Sequence, residues 1–184
     1  MNATDRPIVT VFGGSRCGPE SEEYRHGLEL GRLLAEASYT VCTGGYAGVM
    51  EAVSRGAHER HGDVIGVTME QFDVAPNRYL KRVLPSPDFY ARLQGLIRQS
   101  CAYVALRGGM GTLTEVCLVW NKLYMRVIEP RPLILVGSCW PPVIEAWRRH
   151  LVVDDEDSRL LTFVDTPNEA LRVIGRSQDL PSFD

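Results

Sequence analysis

Apolar residues come along this chain in short runs, and between the runs their spacing lengthens to three or four. Ile8-Val9-Thr10-Val11-Phe12 is the first run, a predicted strand closed by Gly13-Gly14. Glu20 to Ala37 follows, with Tyr24, Leu28, Leu34 and Ala37 near helical spacing. Tyr39 to Cys42 predicts a second strand, ended by Thr43-Gly44-Gly45, and about Gly48 to His61 a second helix. Val64 to Val67 predicts a third strand. Met69 to Pro85 shows no clean period and predicts an irregular stretch or a lid. Ser86-Pro87 has the form of an N-cap with proline at the first helical position, opening a helix to about Ser100. Ala102 to Leu106 predicts a fourth strand, ended by Gly108, Gly109 and Gly111, and Thr112 starts a helix reaching roughly Met125. Leu133 to Val136, Pro141 to Leu151 and Leu161 to Val164 predict a strand, a helix and a last short strand. Thr166-Pro167-Asn168-Glu169 has capping-box spacing and opens the final helix. Met1 to Arg6 and Ser177 to Asp184 read as tails.

Short apolar strands alternating with helices imply parallel pairing with helices on both faces. The expected fold class is α/β, a Rossmann-like doubly wound parallel sheet in one domain. A length of 184 residues and an apolar share of 45% suffice for a full core. A net charge of −3 argues against a nucleic-acid partner or an anionic membrane surface, which need a concentrated basic face. The densest basic cluster, Arg148-Arg149-His150, reads as a solvated helix face. The five cysteines are widely spaced, without CxxC, and three lie in apolar runs. That pattern fits reduced thiols in a cytoplasmic protein better than disulfides or a zinc site. No stretch reads as a signal peptide or a membrane span.

Candidate chemistry sits in three glycine-rich turns at strand ends: Gly13 to Gly18, Gly44 to Gly48, and Gly108 to Thr112. In a parallel sheet all three fall on the carboxyl edge, where open α/β folds bind ligands. Each precedes a helix, whose free N–H groups and dipole favour an anion. GxxxxGK[ST] is absent, which argues against a triphosphate P-loop. A strict GxGxxG is absent too, and the second strand ends in Thr43-Gly44 rather than an acid for a ribose hydroxyl. A monophosphate ligand remains.

Gly44-Gly45-Tyr46-Ala47-Gly48-Val49-Met50 and Arg107-Gly108-Gly109-Met110-Gly111-Thr112-Leu113-Thr114-Glu115 resemble the GGxxGxM and PGGxGTxxE motifs of the Lonely Guy family, long labelled lysine decarboxylase-like. The resemblance covers roughly Val9 to Trp120. It implies a Rossmann-like fold, a homodimer, and a phosphoribohydrolase that cuts a cytokinin riboside 5′-monophosphate or AMP-like nucleotide into base and ribose 5-phosphate. By the same resemblance Arg92 and Glu115 take the catalytic positions. Ser15, Gly44, Gly45, Gly48, Met50, Gly108, Gly109, Gly111 and Thr112 are the expected substrate- and phosphate-binding residues. No metal or organic cofactor is needed for that reaction. The chain departs from the pattern at Arg107, where the family has proline, and at Leu93, where it has lysine. A neighbouring branch, the molybdenum cofactor carrier proteins, uses similar glycine loops to bind without hydrolysing, and this is the alternative reading.

Each candidate also has a plainer reading. Thr112-x-x-Glu115 has capping-box spacing. Arg92 borders the apolar stripe of Phe89, Leu93, Leu96 and Ile97, where an arginine can simply snorkel. Ser15 and Thr112 can cap helices, Arg107 can be solvated, and Tyr46 reads as an exposed loop residue. His58 and His61 share a helix face but lack a third metal ligand nearby. The helix from Leu113 to Met125 is apolar over more than one side, which predicts a second surface buried against it, in a homodimer.

Overall fold

The computed structural model describes residues 6–178. Seven parallel strands form one sheet: β1 (Ile8–Phe12), β2 (Thr40–Thr43), β3 (Asp63–Met69), β4 (Arg82–Ser86), β5 (Ser100–Ala105), β6 (Leu133–Val136) and β7 (Leu161–Val164). Their order is β4-β3-β2-β1-β5-β6-β7. The chain therefore builds outward from β1 to one edge, returns, and builds outward again from β5. Helices α1 (Glu22–Glu36), α2 (Val49–Glu59), α3 (Phe89–Ile97), α4 (Met110–Tyr124), α5 (Trp140–His150), the single turn α6 (Asp155–Ser158) and α7 (Pro167–Gln178) fill the connections.

The central strands bury both faces, as period-two side chains of a doubly covered sheet must, while the edge strand β4 stays mostly exposed. Val9, Val11, Val41, Val104 and Ile134 point to the side of α1, α2 and α7, where Leu30, Leu34, Val53 and Ile174 pack. Phe12, Tyr103, Ala105 and Leu135 point the other way, to Leu96 of α3, Val116, Val119 and Trp120 of α4, and Ile144 of α5. No helix is long and apolar enough to cross a membrane among the described residues.

Four expectations need correction. The stretch read as irregular contains β4, an edge strand whose Val83 and Leu84 stay 43% and 48% exposed. Half-solvated apolar residues and Pro85, which lacks an N–H, hide such a strand from pattern reading. Ser86 ends β4 rather than capping α3; the cap is Asp88, which accepts from the Ala91 N–H at 2.9 Å. Helix α4 starts at Met110, not Thr112, with Gly109 as an N-cap that makes no side-chain cap bond. Ser177 belongs to α7 rather than to a tail. Met1–Asp5 and 179–184, the rest of the expected tails, lie outside the described residues.

Candidate active site

The direction of winding reverses between β1 and β5, and a topological switch of this kind opens a crevice at the carboxyl edge. Backbone bonds lace the three glycine turns together there. The Gly14 N–H donates to Arg107 O at 3.2 Å, and the Val49 N–H donates to Gly14 O at 2.8 Å. A cleft of about 910 Å³ lies over them.

Arg92 and Glu115 meet at its floor. Asp88 starts α3 so that Arg92 lies one turn in, at the edge of the face that buries Leu93, Leu96 and Ile97. Its guanidinium is buried and fully directed. Nε donates to Val67 O at 3.0 Å, Nη2 donates to Gly44 O at 3.4 Å, and Nη1 stands 3.6 Å from Glu115 Oε1. The Tyr46 ring lies 5.9 Å from its Cζ. Gly44 makes this possible, because a Cβ there would overlap Arg92 Nη2.

Glu115, in the second turn of α4, is 8% exposed. Burial pushes its carboxyl up to about 7, against the opposing pull of Arg92. Because α4 begins at Met110, Thr112-x-x-Glu115 is interior to the helix and forms no capping box. The plainer reading of Glu115 therefore falls. Arg92 is likewise no snorkelling side chain, since its head is the buried part.

Of the other expected residues, Ser15, Gly44, Met50, Gly108, Gly109, Gly111 and Thr112 line the cleft with Arg92 and Glu115. Gly45 and Gly48 do not. They turn the chain at φ +81° and +71°, in the left-handed region that favours glycine, and Gly48 seats α2 against Gly14 and Ser15. Tyr46 is buried rather than exposed, with its hydroxyl accepting from the Met69 N–H at 2.8 Å. Arg107 lines the cleft and pairs with Glu23 at 3.0 Å. Leu93 points into the interior. His58 packs on Tyr79, and no three His, Cys, Asp or Glu side chains cluster to hold a metal among the described residues.

Sequence reading missed Glu23, Phe72, Val74 and Phe89 as cleft residues. Phe72 and Val74 lie in the stretch without a period, and Glu23 looks like any solvated helix acid. Phe89 belongs to the apolar stripe of α3 that reads as core, yet it is 42% exposed.

A probable cytokinin riboside 5′-monophosphate phosphoribohydrolase of Oryza sativa subsp. japonica is 34% identical over 142 residues, covering 74% of this chain and 57% of the relative. A pyrimidine/purine nucleotide 5′-monophosphate nucleosidase of Escherichia coli is 25% identical over 195 residues, covering 98% of this chain but 43% of the relative. This chain thus spans about half the length of those two relatives. The molybdenum cofactor binding protein of Rippkaea orientalis shares the fold, at a TM-score of 0.77 and 22% identity over 93% of this chain and 96% of that one. Residues 6–169 match the SLOG cluster 4 family, and the chain belongs to that family.

Proposed function

We propose that this chain hydrolyses the N-glycosidic bond of a nucleoside 5′-monophosphate, releasing free base and ribose 5-phosphate. The observation that carries the reading is the buried Arg92–Glu115 pair under the glycine turns, with a carboxyl held near neutrality. The phosphate lies over Gly109, Gly111 and Thr112, whose backbone N–H groups open the helix. That places the ribose over Glu115 and the base toward Phe72, Val74 and Phe89. The C1′–N bond breaks with its electron pair on the base. Glu115, when ionised, stabilises the cationic ribosyl centre and accepts the proton of the water that adds to C1′. The base takes up a proton as it leaves. Arg92 holds the carboxylate and orients ribose or phosphate. Such a carboxyl near 7 is matched to proton transfer at neutral pH.

The homologous hydrolases support this reading over the carrier alternative. Incubation with a panel of purine, N6-substituted purine and pyrimidine monophosphates, followed by chromatography, tests it. Free base in stoichiometric yield with ribose 5-phosphate is the expected result. Tight binding without base release is the result a carrier gives.

The chain also acts, in this reading, as a homodimer. Val116, Val119, Trp120 and Leu123 bury one side of α4 in its own chain, but Tyr124, Met125 and Val127 remain 61%, 59% and 57% exposed. A monomeric mass at micromolar concentration would rule this out.

A further inference from the structure

Two glycines at the mouth of α4 have no internal reason to be glycine. Gly109 is extended, at φ −107° and ψ −152°, a conformation open to any residue. Gly111 sits in the first helical turn, where alanine is the better helix former. A Cβ on Gly111 would meet nothing within 4 Å, and one on Gly109 would meet only Arg16 Nη2, at 3.8 Å. Gly44 and Gly108 are different, since a Cβ there would overlap Arg92 or Thr112. What the missing side chains preserve at Gly109 and Gly111 is open volume. One side of it is the start of α4 and the other is the Arg16 guanidinium, and all three residues line the cleft.

Arg16 is also uncommitted: it makes no hydrogen bond or ion pair among the described residues. Its neighbour Arg107 differs, being tied to Glu23 at 3.0 Å. We propose that Arg16 is a phosphate-recognising side chain at the mouth of α4, and that the group it receives over Gly109 is a dianionic phosphomonoester. This rests on the cleft being the nucleotide site proposed above.

Charge favours Arg16 over Arg107. A phosphomonoester carries roughly −1.5 to −2 at neutral pH, and the start of α4 supplies roughly half a positive charge. Arg16 adds a full cation whose planar fork suits two phosphate oxygens. Arg107 brings Glu23 with it, so that pair adds almost no net charge.

The test is calorimetric titration of the full chain with ribose 5-phosphate, using wild type, R16A, R16K, R107A and G109A, with thermal melts to confirm folding. R16A is expected to weaken binding roughly 10- to 100-fold, the scale of a charge-assisted contact, and R16K to recover part of it. G109A is expected to keep its melting temperature yet weaken binding, because the methyl enters the phosphate volume. R107A is expected to change affinity less than about threefold. Wild-type affinity in R16A, or equal losses in R16A and R107A, would overturn the proposal. Ribose 5-phosphate binding that depends on Arg16, in a protein that hydrolyses no nucleotide, would uphold Arg16 and reject the hydrolase. No binding by wild type would reject Arg16.

Discussion

Two arginine–glutamate pairs line one cleft, and they behave in opposite ways. Arg107–Glu23 is the shorter, at 3.0 Å, with side chains 70% and 21% exposed. Arg92–Glu115 is longer, at 3.6 Å, with side chains 10% and 11% exposed. The Glu23 carboxyl is held below its ordinary range, first by its own backbone N–H and further by Arg107. Glu115 is pushed up to about 7 although an arginine faces it, because desolvation outweighs the attraction. Water access, rather than pairing, therefore separates a charged brace from a group that exchanges protons near neutral pH. The brace ties the β5–α4 turn to α1, while the buried pair joins α3 to α4 within the cleft.

The sharpest way to break this contrast is to neutralise each glutamate. Glu115→Gln keeps the size and removes the proton acceptor. Turnover of a monophosphate substrate should fall by roughly a hundred- to ten-thousandfold, or about 3–5 kcal/mol of transition-state stabilisation. Glu23→Gln should leave turnover within a few-fold. Equal losses in steady-state assays would erase the distinction.

The next effect is pH dependence. A base that works ionised makes kcat/KM rise as pH rises through about 7, if that value governs the free protein. Stability runs the other way. The raised carboxyl binds its proton more tightly folded than unfolded. Its contribution is full below its ordinary value of 4.5 and is lost as pH rises through about 7. The shift corresponds to something on the order of 3 kcal/mol. Chemical-denaturation stabilities of wild type between pH 5 and 8 should show this slope, and Glu115→Gln should flatten it. A slope that persists unchanged in the variant would assign the titration to another group.

The smallest effect belongs to the exposed pair. Arg107→Ala should cost about 1 kcal/mol or less, as solvated ion pairs do. A loss above about 2 kcal/mol by the same denaturation measurement would mean that Arg107 is more than a brace.

How far the chain could be read depended on where each residue faces. Strands buried on both faces, such as Ile8–Phe12 and Leu133–Val136, are continuous apolar runs and stand out. The edge strand Arg82–Ser86 is mostly solvated and does not. The resemblance to the family motifs pointed to Arg92 and Glu115, which the fold brings to 3.6 Å from each other, but the spacing of Thr112 and Glu115 also fitted a capping box, which only the start of α4 at Met110 excludes. Spacing alone fixes a face relative to the helix start, and the start was two residues earlier than expected.

Local chemistry along the chain determined the alternation of strand and helix, the glycine turns and so the carboxyl edge on which a ligand would bind. Those features depend on neighbours within a few residues. Only the tertiary structure decided which charges share the cleft. Glu23 and Arg107 are 84 residues apart in sequence, and Arg92 meets Gly44 across 48. It also decided which carboxylate loses its water. A carboxyl's proton affinity depends on everything packed around it, and Glu115 is buried beside Arg92 of α3, which is itself held by Val67 of β3 and by Gly44. No segment of the sequence contains that environment by itself.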